Sequence, residues 1–304
     1  MSAITTTKNI PRVSIVTPSY NQGQFIEKTI RSVLCQDYSN LEYIVVDALS
    51  NDQTIEILQK YDNYIDIVIV EKDNGQADAL NKGFGVCTGD ILAYLNSDDC
   101  YISKEVISQV VNYFNNYPDI DVVYGQRKFI NENGEFVHCY PYKPFSKNNL
   151  YLSDYIPQEC TFWRRSIFEK SGFFIDDSFH FAMDYELWLR FLKYDANFFS
   201  VSDFFGLFRY YDSQKSISQW HTVGLPEIAK VHNIYTDKYI PEKEMVDYYY
   251  EHFYGANPSI NSQAFDFCHS IWNTFVMHKR NILGQIPIDK WVFQEELTNR
   301  RNKI

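Results

Sequence analysis

From Val13 onward, short apolar runs alternate with longer segments of helical period, and this alternation constrains the fold more than any other feature of the chain. The runs are Val13 to Thr17, Tyr43 to Val46, Ile67 to Val70, Ile91 to Leu95 and Asp121 to Tyr124. Between them lie helix candidates at Gln22 to Cys35, Thr54 to Tyr61, Gln76 to Val86 and Lys104 to Tyr117. Short strands separated by helices signal βαβ units and a largely parallel sheet, here of five strands and four crossovers. Right-handed crossovers put the strand ends on one rim, so the polar clusters that follow each run are expected to converge in one cleft.

After Tyr124 the pattern changes. Arg127 to Asn131 and Phe136 to Tyr140 flank Asn133-Gly134, a hairpin signal that adds antiparallel strands. A helix is expected from about Asp184 to Tyr194 and strand-like aromatic segments from Phe198 to Tyr211. Beyond Trp220 the period is mainly helical, at Pro226 to Tyr235, Glu242 to Tyr254 and Asn261 to His278.

Composition narrows the partners. A net charge of −11 argues against a nucleic-acid binder, which needs a basic footprint, so an anionic substrate would require a metal or a local basic group. No run approaches the ~20 apolar residues of a membrane span and the start, Met1 to Asn9, is polar, so a cytoplasmic location is expected. The 6 cysteines form no CxxC pair and are expected to be reduced packing residues. With 24 Tyr, 23 Phe and 5 Trp, the aromatic content exceeds what a core of this size needs and suggests a binding surface.

Three polar constellations follow strand candidates. Asn96-Ser97-Asp98-Asp99 places adjacent carboxylates at a strand end, where a hard divalent cation would offset their repulsion and could bridge a diphosphate. The same residues could equally cap the helix beginning near Ser103. Asp47, followed by Ser50, Asp52 and Thr54, could bind a base or ribose or merely serve the turn. In Glu71 to Gly83, Asp78, Asn81 and Lys82 share a helical face; Lys82 is expected to pair with Asp78, and Asp78 is retained as a site candidate. Glycine-rich phosphate loops of the GxGxxG and GxxxxGK[ST] types are absent.

Taken together, Val13-Ser14-Ile15-Val16-Thr17-Pro18-Ser19-Tyr20-Asn21, the Asp47 strand end, Asp73-x-Gly75, Asp78-Ala79-x-Asn81-x-Gly83 and Asn96-Ser97-Asp98-Asp99 resemble the GT-A glycosyltransferases of family 2 over roughly Pro11 to Ser216. The resemblance implies an α/β GT-A fold: a Rossmann-like mixed sheet flanked by helices, with a helical C-terminal region. It implies a transferase domain over 11–220, divided into a nucleotide-sugar half (11–125) and an acceptor half (126–220), and an extension over 221–304. Thr17, Pro18 and Tyr20 then match positions flanking the nucleoside, and Asp47 the acid that binds the base or ribose. Asn96 and Asp98 fall at the donor, Asp98 and Asp99 match the metal-binding pair with Asp99 as the direct ligand, and Asp184 matches the catalytic base. Glu186 is the second choice. Read without the resemblance, an acid at Asp184 is an ordinary helix-start residue.

The family's chemistry is inverting transfer of a sugar from a nucleotide-diphospho-sugar, a UDP-sugar in the favoured case, to a hydroxyl of a glycan or lipid-linked glycan. Mn2+ or Mg2+ assists. Peripheral association with the inner membrane face and homo-oligomerisation stay open. This chain departs from many relatives in carrying Ala48-Leu49 after Asp47, where an acid or glycine is usual, and Tyr211 where a metal-binding histidine is common; His180 could substitute. Gln158, Trp163 and Trp188 are candidates for the acceptor channel, and Tyr248, Tyr249, Tyr250 and Tyr254 for acceptor, dimer or packing contacts. The competing readings are a catalytically silent sugar-nucleotide or glycan-binding module and, from another class, a nucleotidyltransferase. The latter should show a glycine-rich loop where Pro18-Ser19-Tyr20-Asn21 stands.

Overall fold

The computed structural model describes residues 10–236 apart from 141 and 153. The helices expected at Glu242 to Tyr254 and Asn261 to His278, and the tyrosines at 248–250 and 254, lie outside the described residues.

The first half follows the alternation. Strands β1 (Val13–Ser19), β2 (Leu41–Asp47), β3 (Ile67–Val70) and β4 (Ile91–Tyr94) are parallel and alternate with helices α1 (Ile26–Leu34), α2 (Thr54–Tyr61) and α3 (Gln76–Val86). Both faces of this sheet are covered, so its central strands β1, β2 and β4 are buried along their whole length and mainly apolar. Side-chain alternation sends Val13, Ile15, Tyr43, Val45, Ile91 and Ala93 to the face under α1 and α2. Val16, Ile44, Val46, Leu92 and Tyr94 face α3. Helix α3 lies so close to the sheet that a Cβ at Gly83 would meet Val16 Cγ1 at 2.4 Å. Helix α1 begins at Ile26 rather than Gln22, because Gln22 to Phe25 form a turn whose N–H groups bind the next loop, Gln22 to Thr54 Oγ1 and Gly23 to Asp52 Oδ2.

The second half builds the rest of the sheet: β5 (Cys100–Tyr101), α4 (Val106–Asn116), β6 (Val122–Ile130), β7 (Phe136–His138), α5 (Lys147–Leu152), β8 (Thr161–Arg164), α6 (Arg165–Lys170), α7 (Met183–Lys193) and β9 (Phe198–Arg209). Strand order is β3-β2-β1-β4-β8-β6-β9-β5, with β7 paired to β6 around the expected Asn133-Gly134 turn. The fifth expected parallel neighbour is displaced. β8 runs antiparallel to both β4 and β6 and separates them, a pairing across sequence that local periodicity cannot show.

Helices α8 (Lys215–Ser218) and α9 (Leu225–Tyr235) close the described chain. Ile228, Ala229 and Val231 of α9 enter the same core as α3 and α7. Trp163 and Trp188, expected as candidates for the acceptor channel, are fully buried in that core and meet edge to face at 5.6 Å. Their burial corrects the expectation. Among the described residues no helix is long and apolar enough to cross a membrane.

Candidate active site

β1 is flanked by β2 on one side and β4 on the other, so a crevice opens at the C-terminal ends of these strands, the place where open α/β sheets bind ligands. The loops after β1 and β2 are tied together across it: Asn21 N donates to Ser50 Oγ at 2.7 Å and Asn51 N to Asn21 Oδ1 at 2.9 Å. Thr17 and Pro18 are buried, with Thr17 Oγ1 accepting from the Tyr43 hydroxyl; Tyr20, 60% exposed, projects past the strand end. Asp47 is enclosed as well, its two oxygens accepting from Ser50 N and Ser50 Oγ at 2.8 and 2.7 Å. What reaches the surface beside it is Leu49, 55% exposed and held at a φ of 60°. Asp78 is engaged locally, accepting from Asn74 N at 2.9 Å and paired with Lys82 at 3.5 Å.

The acidic turn after β4 does not cap the next helix, whose start at Val106 receives no side-chain cap. Thr29 Oγ1 holds the carbonyls of Ser97 and Asp99, and β9 grips the turn from the other side. Cys100 and Tyr101 pair antiparallel with Leu207 and Gly206, Arg209 N donates to Asp99 Oδ1 at 3.0 Å, and Arg209 Nε donates to the Asp98 carbonyl at 2.9 Å. Asp99 is wholly buried and its Oδ2 has no hydrogen-bond partner; Asp98 is 9% exposed and its Oδ2 accepts from the Tyr211 hydroxyl at 2.9 Å. Burial pushes both carboxyls above the ordinary range, and for Asp99 the charge of Asp98 adds to it.

Among the described residues no three His, Cys, Asp or Glu side chains converge into a metal cage. The turn offers one nearly enclosed carboxylate, Asp98, and one buried orphan oxygen on Asp99. That fits a Mg2+ or Mn2+ ion completed by substrate phosphate oxygens and water. His180 does not contribute: it is exposed and its described contacts are made by its main chain.

Next to the turn lies a cavity of about 720 Å³ lined by Asn96, Gln158 and Asp184 among others. A polar chain crosses its floor. Asn96 Nδ2 donates to Gln158 Oε1, Gln76 Nε2 to Asn96 Oδ1, and Lys215 Nζ to Gln76 Oε1 at 2.6 Å. Burial lowers the Lys215 ammonium, opposed by the charges of Asp184, Glu227 and Asp98.

Asp184 sits in the first turn of α7 without serving as its cap. Glu227, reaching over from α9, accepts the N–H groups of His180, Phe181 and Ala182 at 2.7 to 2.9 Å. The Asp184 carboxylate lies on the cavity wall with its Oδ1 accepting from Tyr185 N at 2.9 Å, and burial raises its pKa against that N–H and the Lys215 charge. Glu186, the alternative base, is buried and bound to Arg190 at 3.0 Å, away from the cavity lining. The aromatic surplus has a place here: Tyr124, Tyr140, Tyr142, Phe208, Tyr210 and Trp220 also line this cavity. Arg127, Asp154, Lys215 and Glu227 belong to this neighbourhood and were not singled out from the sequence, which carries no local pattern around them.

Residues 14–194 match the model of the family described as glycosyl transferase family 2. The chain belongs to glycosyl transferase family 2. It is similar to an uncharacterized glycosyltransferase of Rickettsia prowazekii, 32% identical over 197 residues, or 62% of this chain and 61% of that one. It also resembles the UDP-Glc:alpha-D-GlcNAc-diphosphoundecaprenol beta-1,3-glucosyltransferase WfgD of Escherichia coli, 33% identical over 70% of this chain and 85% of that one. The match thus spans about three fifths of the Rickettsia relative and most of the other. The fold is that of S. aureus TarS 1-349 in complex with UDP-GlcNAc, with a TM-score of 0.60 and 18% identity over 96% of this chain and 88% of that one. The mannosyltransferase PcManGT from Pyrobaculum calidifontis, in complex with GDP-Man and Mn2+, shares it at a TM-score of 0.58 and 17% identity, covering 96% and 83% of the two chains. The family 2 chain therefore has the GT-A fold.

Proposed function

We propose that this family 2 chain is an inverting glycosyltransferase that moves a sugar from a nucleotide-diphospho-sugar to a hydroxyl of a glycan or lipid-linked glycan. The observation that carries the reading is Asp184: its carboxylate lines the cavity, its Oδ1 accepting from Tyr185 N at 2.9 Å, while Glu227 binds the N–H groups just ahead of the helix. A UDP-sugar is the favoured donor, supported by the UDP-GlcNAc complex of TarS and the UDP-Glc of WfgD's name. The transferase domain runs through α9 rather than stopping at 220, because α9 supplies both core residues and the Glu227 brace.

In the proposed step, Asp184 removes the proton of the acceptor hydroxyl as its oxygen attacks the anomeric carbon. The bond from that carbon to the diphosphate oxygen breaks on the opposite face, so the configuration inverts. Lys215 supplies positive charge beside the turn. Asp98, at 9% exposure the less enclosed of the pair, is the proposed direct ligand for Mn2+ or Mg2+, with the orphan Oδ2 of Asp99 beside it. When bound, the ion offsets the charge of the departing diphosphate. With Asp47 enclosed, Tyr20 and Leu49 are the side chains proposed to meet the nucleoside base.

One observation favours the silent-module reading: Tyr211, standing where a metal-binding histidine is common, offers a hydroxyl bound to Asp98 Oδ2 instead of a ring nitrogen. The test is release of nucleoside diphosphate from UDP-, GDP- and dTDP-sugars with manganese, magnesium or EDTA, with mixed glycan acceptors present. Metal-dependent release from one donor supports the transferase. Binding without turnover on every donor supports the module.

A further inference from the structure

Asp154 follows α5 and lines the same cavity as Asp184, and its Oδ1 is shut off from bulk solvent without a hydrogen bond from any described group. Buried carboxylate oxygens in folded chains are ordinarily satisfied, so an orphan on a cavity wall points to an absent donor. The nearby cation does not supply it. Arg127 Nε is committed to Glu159 Oε1 at 3.0 Å, and its guanidinium lies over the Phe208 ring at 4.8 Å.

The missing group therefore enters from the cavity and must donate. Ammonium and hydroxyl groups both qualify, but the cavity that Asp154 lines is rich in aromatic rings, with Tyr124, Tyr142 and the adjacent Tyr155 among its lining residues. Aromatic faces suit the C–H face of a sugar ring, whose hydroxyls then point sideways to carboxylates. Two carboxylates in one cavity, near enough to feel each other's charge, can hold two hydroxyls of one ring: Asp184 the one that reacts, Asp154 another.

We propose that Asp154 is an acceptor-binding residue that selects a sugar ring carrying a second free hydroxyl besides the one attacked. This rests on the transferase reading for the role of Asp184 but not for the existence of the subsite. Burial and the charge of Asp184 both raise the Asp154 carboxyl, opposed by Arg127, so a hydroxyl placed between the two acids also relieves their repulsion.

Binding can be measured without turnover. Full-length protein saturated with UDP is titrated with methyl glucoside, methyl galactoside and methyl N-acetylglucosaminide and with their monodeoxy analogues, by saturation-transfer NMR. At least one parent glycoside is expected to bind, and one deoxy position to weaken it roughly tenfold or more. Asp154→Asn and Asp154→Ala, checked for unchanged thermal unfolding, are expected to weaken the parent similarly and to lose sensitivity to that deoxy position, while UDP affinity stays unchanged. Binding of no glycoside, or equal binding by wild type and both variants, overturns the subsite. If the variants unfold, the deoxy series on the wild type decides: indifference at every position overturns the proposal. Glycoside binding without release of nucleoside diphosphate from any donor would overturn the transferase reading and leave the subsite standing.

Discussion

Tyr211 donates its hydroxyl proton to Asp98 Oδ2 across 2.9 Å, joining the end of β9 to the acidic turn after β4. Tyr211 is itself held against Phe25, ring centroids 5.0 Å apart. If Asp98 holds the metal, this hydroxyl orients the ligand, and partners of that kind are typically worth 10–100-fold in metal affinity or activity. Tyr211→Phe is thus expected to weaken Mn2+ binding by roughly 10-fold or more, read from the manganese dependence of UDP binding. Unchanged affinity would mean that the hydroxyl only fills space.

Asp184→Asn is expected to lower transfer by roughly 10² to 10⁴ while leaving donor affinity in place, the usual share of a general base. Burial raises the Asp184 pKa, and the base works only when deprotonated. The acid limb of kcat/KM is therefore expected above the ordinary aspartate range, with activity lost as pH falls through it. A limb near pH 4, which is the unperturbed value, would count against Asp184 as the base.

Glu227→Ala removes the acceptor for three N–H groups ahead of α7. A stability loss of roughly 1–3 kcal/mol is expected in urea unfolding. The informative readout is kinetic: transfer should fall with donor KM unchanged, because the segment leading into α7, which carries Asp184, then loses its brace. Equal loss of donor binding would place Glu227 in general stability instead.

Gly83→Ala tests the approach of α3 to the sheet. A Cβ there would meet Val16 Cγ1 at 2.4 Å and Val46 Cγ2 at 3.3 Å. Overpacking of that kind costs about 1–3 kcal/mol, and a thermal melt should show a clearly lowered midpoint. An unchanged midpoint would mean that the helix can lift without loss.

Much of the first half was legible because its elements follow from neighbours in sequence. α2, α3 and β3 begin and end where periodicity placed them, since each buries a face set by local spacing. β8 was missed because its four residues acquire their meaning only by pairing with β4 and β6. The site divides the same way. Asn96, Asp98 and Asp184 stood out through motif and resemblance, but the proposed choice between Asp98 and Asp99 turns on which carboxylate is the less enclosed, and β9 engages Asp99 from 110 residues away. Asp154, Lys215 and Glu227 lie in unremarkable sequence, and their roles exist only in the assembled cavity.

The family match ends at residue 194, whereas Arg209, Tyr211, Lys215 and Glu227 all lie beyond it. Each of the four reaches back: Arg209 and Tyr211 to the acidic turn, Lys215 to Gln76, Glu227 to the head of α7. The chain thus divides its labour unevenly. The shared segment frames the crevice at the ends of β1, β2 and β4, while a strand and two helices of some forty residues brace the acidic turn and the head of α7. A change in that short cassette would therefore reach the acidic turn and the head of α7 while leaving the loops that tie β1 to β2 untouched.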